Sequence, residues 1–254
     1  MDRMPNRPAA NVVYASLGLL VFFGAWQWAG KSAVAGPTLP ALSDVVATLF
    51  DPANLPLLGR SAAYTLGSAA KGLFLGGTLA VLLAVVMHLL PPLRPGLDRL
   101  AVLVNATPPI AVGPILIVVF SREQTPAALA GIQVFFLFYV AASSGLAAAS
   151  PALRRVMTGF GANAWKRLLH LELPAALPHL ASGLKAAVSA SFIGAILGEW
   201  FGAPQGLGLV ILTAMQNFQI RLMWAAVVVA AVMSLTAFLA ATGLERVVTR
   251  RFAR

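Results

Sequence analysis

Lys166, Arg167 and His170 stand among Trp165, Leu168 and Leu169 in the polar segment Gly161–Pro174, which interrupts an otherwise very apolar chain. Basic side chains interleaved with an aromatic ring and leucines suit two kinds of recognition. They can hold a helix on anionic lipid headgroups, with Trp165 as its anchor, or lay a helix into a groove of a partner protein. Read as a helix, Trp165, Leu168 and Leu169 fall at i, i+3 and i+4 and share a face. Gly161 permits a sharp entry, and Pro174 disfavours helix at Leu173. The physics of the segment alone divides evenly between lipid and partner.

Other chemistry is scarce. A phosphate loop needs a glycine, four residues and then Gly-Lys-Ser/Thr, so that backbone amides wrap the phosphates. The nearest approach, Gly24 to Gly30-Lys31-Ser32, has the wrong spacing and lies in an apolar run. The acids Asp2, Asp44, Asp51, Asp98, Glu123, Glu172, Glu199 and Glu245 form no evident pair at helical spacing within an apolar run, so no catalytic residue is assigned. His88, His170 and His179 show no metal-ligand spacing and read as interfacial, so no metal is expected. The absence of cysteine removes thiol and disulfide chemistry. Ion-coupled transport would call for ionisable residues inside the apolar runs, and these are nearly free of them.

Glu199 is the exception. It ends an apolar run in Gly198-Glu199-Trp200-Phe201-Gly202-Ala203-Pro204-Gln205-Gly206-Leu207-Gly208. A carboxylate at a bilayer centre costs about 2.5–3.5 kcal/mol on insertion scales. Glu199 should therefore face the external mouth, a cavity or a partner, the bland alternative being a solvated interfacial carboxylate. The glycines that follow suit a re-entrant or gating turn.

The elements that must position these residues follow from composition. The 254 residues are 59% hydrophobic and 10% charged, against about 25% charged in soluble domains. That is the signature of an all-α polytopic membrane protein. Six runs approach the length needed for a bilayer core of about 30 Å: residues 12–29, 72–90 (with an earlier amphipathic start at Ser61), 100–120, 127–149, 180–200 and 223–244. The net charge of +10 reflects Lys and Arg gathered in short loops, so nucleic acid is not an expected partner, whereas membrane lipid is. With the N-terminus inside, 13 of the 18 basic residues, Arg3, Arg7 and Arg254 among them, lie on the inner side, which predicts both termini in the cytoplasm. The first run has a rival reading as a signal peptide cut near Ala33-Val34-Ala35. Its length and its Trp26-Gln27-Trp28 end favour a retained span. Thr107-Pro108-Pro109 and Gly113-Pro114 predict a kinked or broken third span. The pairs Gly72/Gly76 and Gly194/Gly198 predict close helix packing. The division is an anchor over residues 1–30, an external loop over 31–60 and a core over 61–251.

The run from Gly161-Ala162 to Leu171-Glu172-Leu173-Pro174, continued by Ala175-Ala176-Leu177-Pro178-His179-Leu180 and by Gly198-Glu199-Trp200-Phe201-Gly202-Ala203 with Gly206-Leu207-Gly208, resembles the permease subunit of binding-protein-dependent ABC importers. The last block is most similar to the nitrate, sulfonate and taurine branch, which includes permeases for thiamine-pyrimidine precursors. The resemblance implies a type I ABC importer permease-like fold of about six spans in the bacterial inner membrane, with residues 155–174 as a cytoplasmic coupling helix. It implies that Arg155, Gly161, Ala162, Trp165, Lys166, Arg167, Leu168, Leu169, Leu173 and Pro174 meet an ATPase subunit that carries the ATP and Mg, with no cofactor in this chain. It also implies a second permease copy, as a homodimer or in a pseudo-symmetric pair, and an external binding protein. Candidates for the pathway or gate are Asn105, Thr107, Pro109, Glu199, Gly202, Gly206, Gly208, Gln216 and Asn217. One departure stands out: Arg155-Val156-Met157 occupies the place of the family's Glu-Ala-Ala. The competing reading is a secondary transporter or channel that needs no ATPase.

Overall fold

The computed structural model describes residues 8–34 and 36–252, with side chains from Val13 onward. Arg3, Arg7, Ala35 and Arg254 lie outside them. The described residues form eleven α-helices and no strand. In chain order these are α1 (Pro8–Lys31), α2 (Leu42–Leu49), α3 (Leu55–Leu89), α4 (Arg94–Ala106), α5 (Pro109–Val119), α6 (Thr125–Ala147), α7 (Pro151–Gly159), α8 (Ala164–Arg167), α9 (Leu173–Glu199), α10 (Leu207–Gln216) and α11 (Ile220–Phe252). Five helices are long and apolar enough to cross a membrane, or six if the bent pair α4–α5 counts as one span.

That bent pair turns by 100°. Thr107 is extended and Pro108 and Pro109 follow, so the chain cannot continue the ladder of α4. The expected break is present, and Pro114 is carried inside α5.

α6 is the central helix, packed between α3 and α9. Both glycine pairs press on it. A Cβ at Gly76 would strike the Gly131 carbonyl, and one at Gly194 would sit 2.6 Å from Ala130 Cα. Side chains that small let backbones approach where lipid supplies no hydrophobic drive. The core at the coupling end joins Met87, Phe135, Tyr139, Leu146 and Leu168, and the Tyr139 hydroxyl donates to Asp98. A second cluster joins Val45, Leu58, Leu207, Val210 and Ala225.

Two boundaries differ from the expectation. α3 begins at Leu55, so the division at residue 60/61 falls inside a helix. Residues 31–60 also hold α2, pinned to α11 by the Asp44–Arg221 ion pair at 3.3 Å. Trp26 at the end of α1 donates to the Pro40 carbonyl at 3.1 Å, and its ring lies 5.2 Å from that of Trp224. Gln27 exchanges two hydrogen bonds with Ser43. Residues 13–25 of α1 are exposed and present Leu17, Leu20 and Phe22 outward.

Candidate functional site

The segment around Gly161 joins two helices of different character. α7 exposes Leu153 and Val156, and Phe160 beyond it is 89% exposed. Gly161 turns the chain with φ +77°, a conformation that costs other L-residues about 1–2 kcal/mol. Asn163 then caps α8, its side-chain oxygen accepting from Lys166 N at 2.9 Å.

Here the structure corrects the sequence reading twice. Pro174 does not stop a helix: residues 164–199 run as one helical stretch into the membrane. Leu168–Glu172 widen into a π turn, and Leu173 N–H bonds the Leu168 carbonyl five residues back. The wider turn spares the carbonyls that the Pro174 ring would otherwise crowd, and Pro174 has no N–H to place. Nor do Trp165, Leu168 and Leu169 share one face. Leu168 is buried in the core while Trp165 and Leu169 stay exposed. Leu173 is half-buried beside Leu168, and Lys166 and Arg155 are exposed.

A buried acid holds this segment to the spans. Glu172 is 4% exposed. Its carboxylate lies 2.7 Å from His88 Nε2 on α3 and 3.0 Å from Arg154 Nε on α7. Arg154 also donates through Nη2 to the Leu146 carbonyl at 2.7 Å, at the end of α6. One carboxylate thus joins α3, α7 and the root of α9. Neither His88 nor Glu172 was expected to do this, since they are 84 positions apart.

At the opposite end of α9, Glu199 is fully buried. It is neither a solvated carboxylate nor part of the cavity lining described below. Its Oε2 accepts from Gly208 N at 2.6 Å and its Oε1 from Thr65 Oγ1 at 2.8 Å. Thr65 in turn accepts from Leu207 N at 2.9 Å. The acid caps the N-terminus of α10, where free amides and the helix dipole favour negative charge. Gly206, with φ +129°, brings the backbone so close that any Cβ would overlap the Glu199 carboxyl group. Gly202 also has positive φ.

A cavity of about 1180 Å³ opens among α3, α4, α5 and α6. Its polar lining includes Tyr64, Ser68, Lys71, Gln124 and Gln205. Leu79, Leu100, Val104, Leu116 and Phe135 supply an apolar wall. Among the described residues Lys71 enters no ion pair. The pathway candidates lie elsewhere. Asn105 and Thr107 are exposed at the α4–α5 break, with Thr107 Oγ1 donating to the Leu103 carbonyl, and Pro109 opens α5. Gln216 and Asn217 end α10, where Asn217 Nδ2 donates to the Thr213 carbonyl. From the sequence Lys71 reads as one of the five basic residues on the outer side, just ahead of the apolar run that starts at Gly72.

Residues 72–254 match the family described as binding-protein-dependent transport system inner membrane component. The chain belongs to this family. The permease is 31% identical over 180 residues to a probable ABC transporter permease protein of Haemophilus influenzae, covering 70% of this chain and 74% of that one. It is 28% identical over 184 residues to the formylaminopyrimidine transport permease protein ThiX of Halalkalibacterium halodurans (72% and 74% covered). With the putative aliphatic sulfonates transport permease protein SsuC of Bacillus subtilis it shares 24% identity over 232 residues (91% and 84% covered). Among solved structures, the inward-facing MetNI methionine ABC transporter superposes with TM-score 0.67 at 16% identity, covering 79% of the permease and all of the matched chain. The permease is therefore an integral, multi-pass inner-membrane subunit of a binding-protein-dependent ABC importer.

Proposed function

We propose that the permease forms the pathway of an ATP-driven importer, with the face built from α7 and α8 docked on a cytoplasmic ATPase. The observation that carries this reading is that face: Val156, Phe160, Trp165 and Leu169 are exposed beside Arg155, Lys166 and Arg167, on a segment clamped to α3 and α9 through Glu172. Exposed apolar side chains rimmed by charge mark an interaction surface. A rigid clamp behind them lets a displacement of the face move α3 and α9 together, as a two-state switch biased from a distant site requires.

In this reading ATP and Mg stay on the partner, two permease copies face each other as a homodimer, both termini are cytoplasmic and an external binding protein delivers the solute. The cavity that holds Lys71 receives a small organic or oxyanion solute.

The test is reconstitution of the permease with its ATPase and binding protein in liposomes. Replacing Gly161 with tryptophan and reversing Lys166 and Arg167 to glutamate should uncouple ATP hydrolysis from uptake while the protein stays in the membrane. Normal uptake in the triple variant would sink the coupling role.

A further inference from the structure

A second pocket, of about 670 Å³, lies between the α7–α8 segment and the spans, on the side that the proposed function makes cytoplasmic. Its rim carries four arginines, Arg94, Arg154, Arg155 and Arg167, together with His88. Glu172 is the only acid in the lining, and its carboxylate is already engaged by His88 and Arg154. Arg94 is partly balanced by Asp98 at 3.5 Å. Arg155 enters no ion pair among the described residues, and Arg167 makes only two long contacts, to Thr158 Oγ1 and the Ala162 carbonyl, both at 3.4 Å. The floor is apolar, made of Ala84, Met87 and Leu146. The Ser143 hydroxyl reaches the same lining, is buried and makes no hydrogen bond of good geometry.

Guanidinium groups gathered round a concave site repel one another and leave several N–H donors unfilled. Their planar forks match the oxygens of phosphate, sulfate or a sulfonate, in short charge-assisted hydrogen bonds. A carboxylate would satisfy only part of such a set, since it offers two oxygens where a tetrahedral group offers three or four. We propose that this pocket is a cytoplasmic binding site for a tetrahedral oxyanion, held by Arg155 and Arg167 with Arg94 across the opening.

The ligand bridges α7 and α8 to the start of α4. Binding therefore stabilises one position of the coupling segment against the spans, by as much as the ligand prefers that position. The site is separate from the cavity that holds Lys71, which is lined by α4, α5, α6 and the middle of α3. It does not depend on which solute the importer carries.

The same chemistry has two sources, a free ion or a lipid phosphate. The test uses the full chain purified in a neutral detergent. Radiolabelled phosphate and sulfate are titrated by equilibrium dialysis at constant ionic strength, with chloride as the balancing salt. In parallel, native mass spectrometry follows the chain taken from phosphatidylglycerol-containing vesicles. The expected result is saturable retention of one phosphate-bearing or sulfate species per chain. Affinity should fall about tenfold for each of Arg155→Gln and Arg167→Gln, the loss of one charge-assisted contact apiece. Arg167→Lys should retain most of the binding, and the control pair Arg250→Gln with Arg251→Gln should leave it unchanged. Bound inorganic anion identifies the free ion as the source, and bound phosphatidylglycerol lost in the same variants identifies the lipid. Absence of any saturable binding, or binding by the Arg155→Gln and Arg167→Gln variants equal to that of the unchanged chain, overturns the assignment. If one of these variants aggregates, the other decides by the same criterion.

Discussion

Glu172 lies 2.7 Å from His88 Nε2, so a residue at the root of α9 grips the C-terminal end of α3. The same carboxylate reaches Arg154 on α7 at 3.0 Å. Movement of the exposed face formed by Phe160, Trp165 and Leu169 is thereby tied to two elements of the transmembrane core.

Removing the acid should loosen that tie. Glu172→Ala leaves Arg154 partly buried with no counter-charge, and should lower stability by on the order of 2 kcal/mol. A fluorescence-monitored melt in detergent checks this. Glu172→Gln should cost less, because the amide oxygen still accepts one hydrogen bond. Equal melting temperatures for wild type and Glu172→Ala would show that the clamp contributes nothing.

At Gly161 the constraint is the backbone and not space, because an added Cβ meets nothing within 4 Å. Gly161→Asn should therefore be tolerated better than Gly161→Val, since asparagine visits positive φ more readily. The ratio of solute imported to ATP hydrolysed reads the difference. A valine variant as well coupled as the asparagine variant would contradict a conformational role.

Glu199 should behave as a structural cap. Glu199→Ala strips Gly208 N and the Thr65 hydroxyl of their buried acceptor, at about 1–3 kcal/mol for each unsatisfied group. Glu199→Gln should be milder. Limited proteolysis of the loop between α9 and α10 measures the loss. Unchanged proteolysis with altered solute selectivity would return Glu199 to the pathway.

Lys71 faces the larger cavity without an ion-pair partner among the described residues. If the solute carries an anionic group, Lys71→Gln should raise the apparent KM for uptake about tenfold while basal ATP hydrolysis persists. Initial rates across a concentration series in proteoliposomes separate the two. An unchanged KM would remove Lys71 from solute contact.

The spans were legible because apolar runs of bilayer length leave few alternatives, and the break at Thr107-Pro108-Pro109 because proline chemistry is local. The close approach of Gly72, Gly76, Gly194 and Gly198 to α6 was readable for the same reason: small residues at four-residue spacing have a direct packing consequence. What the sequence hid was set by distance or by backbone compensation. The Glu172–His88 pair and the Thr65–Glu199–Gly208 knot join residues far apart in the chain. The π turn at Leu168–Glu172 absorbs Pro174, where a helix stop was the expected outcome. α3 starts at Leu55, six residues ahead of the amphipathic start read at Ser61, in a stretch too polar to register as a span.

The central claim is that the exposed face holds a protein and not lipid, and Trp165 is the residue at which to ask. A photo-crosslinking phenylalanine analogue placed at Trp165 is activated in membranes of cells that also express the ATPase. The account predicts a crosslinked product containing the ATPase, strongly reduced when Lys166 and Arg167 are reversed to glutamate. Crosslinks to phospholipid alone, with the ATPase present and active, would contradict it.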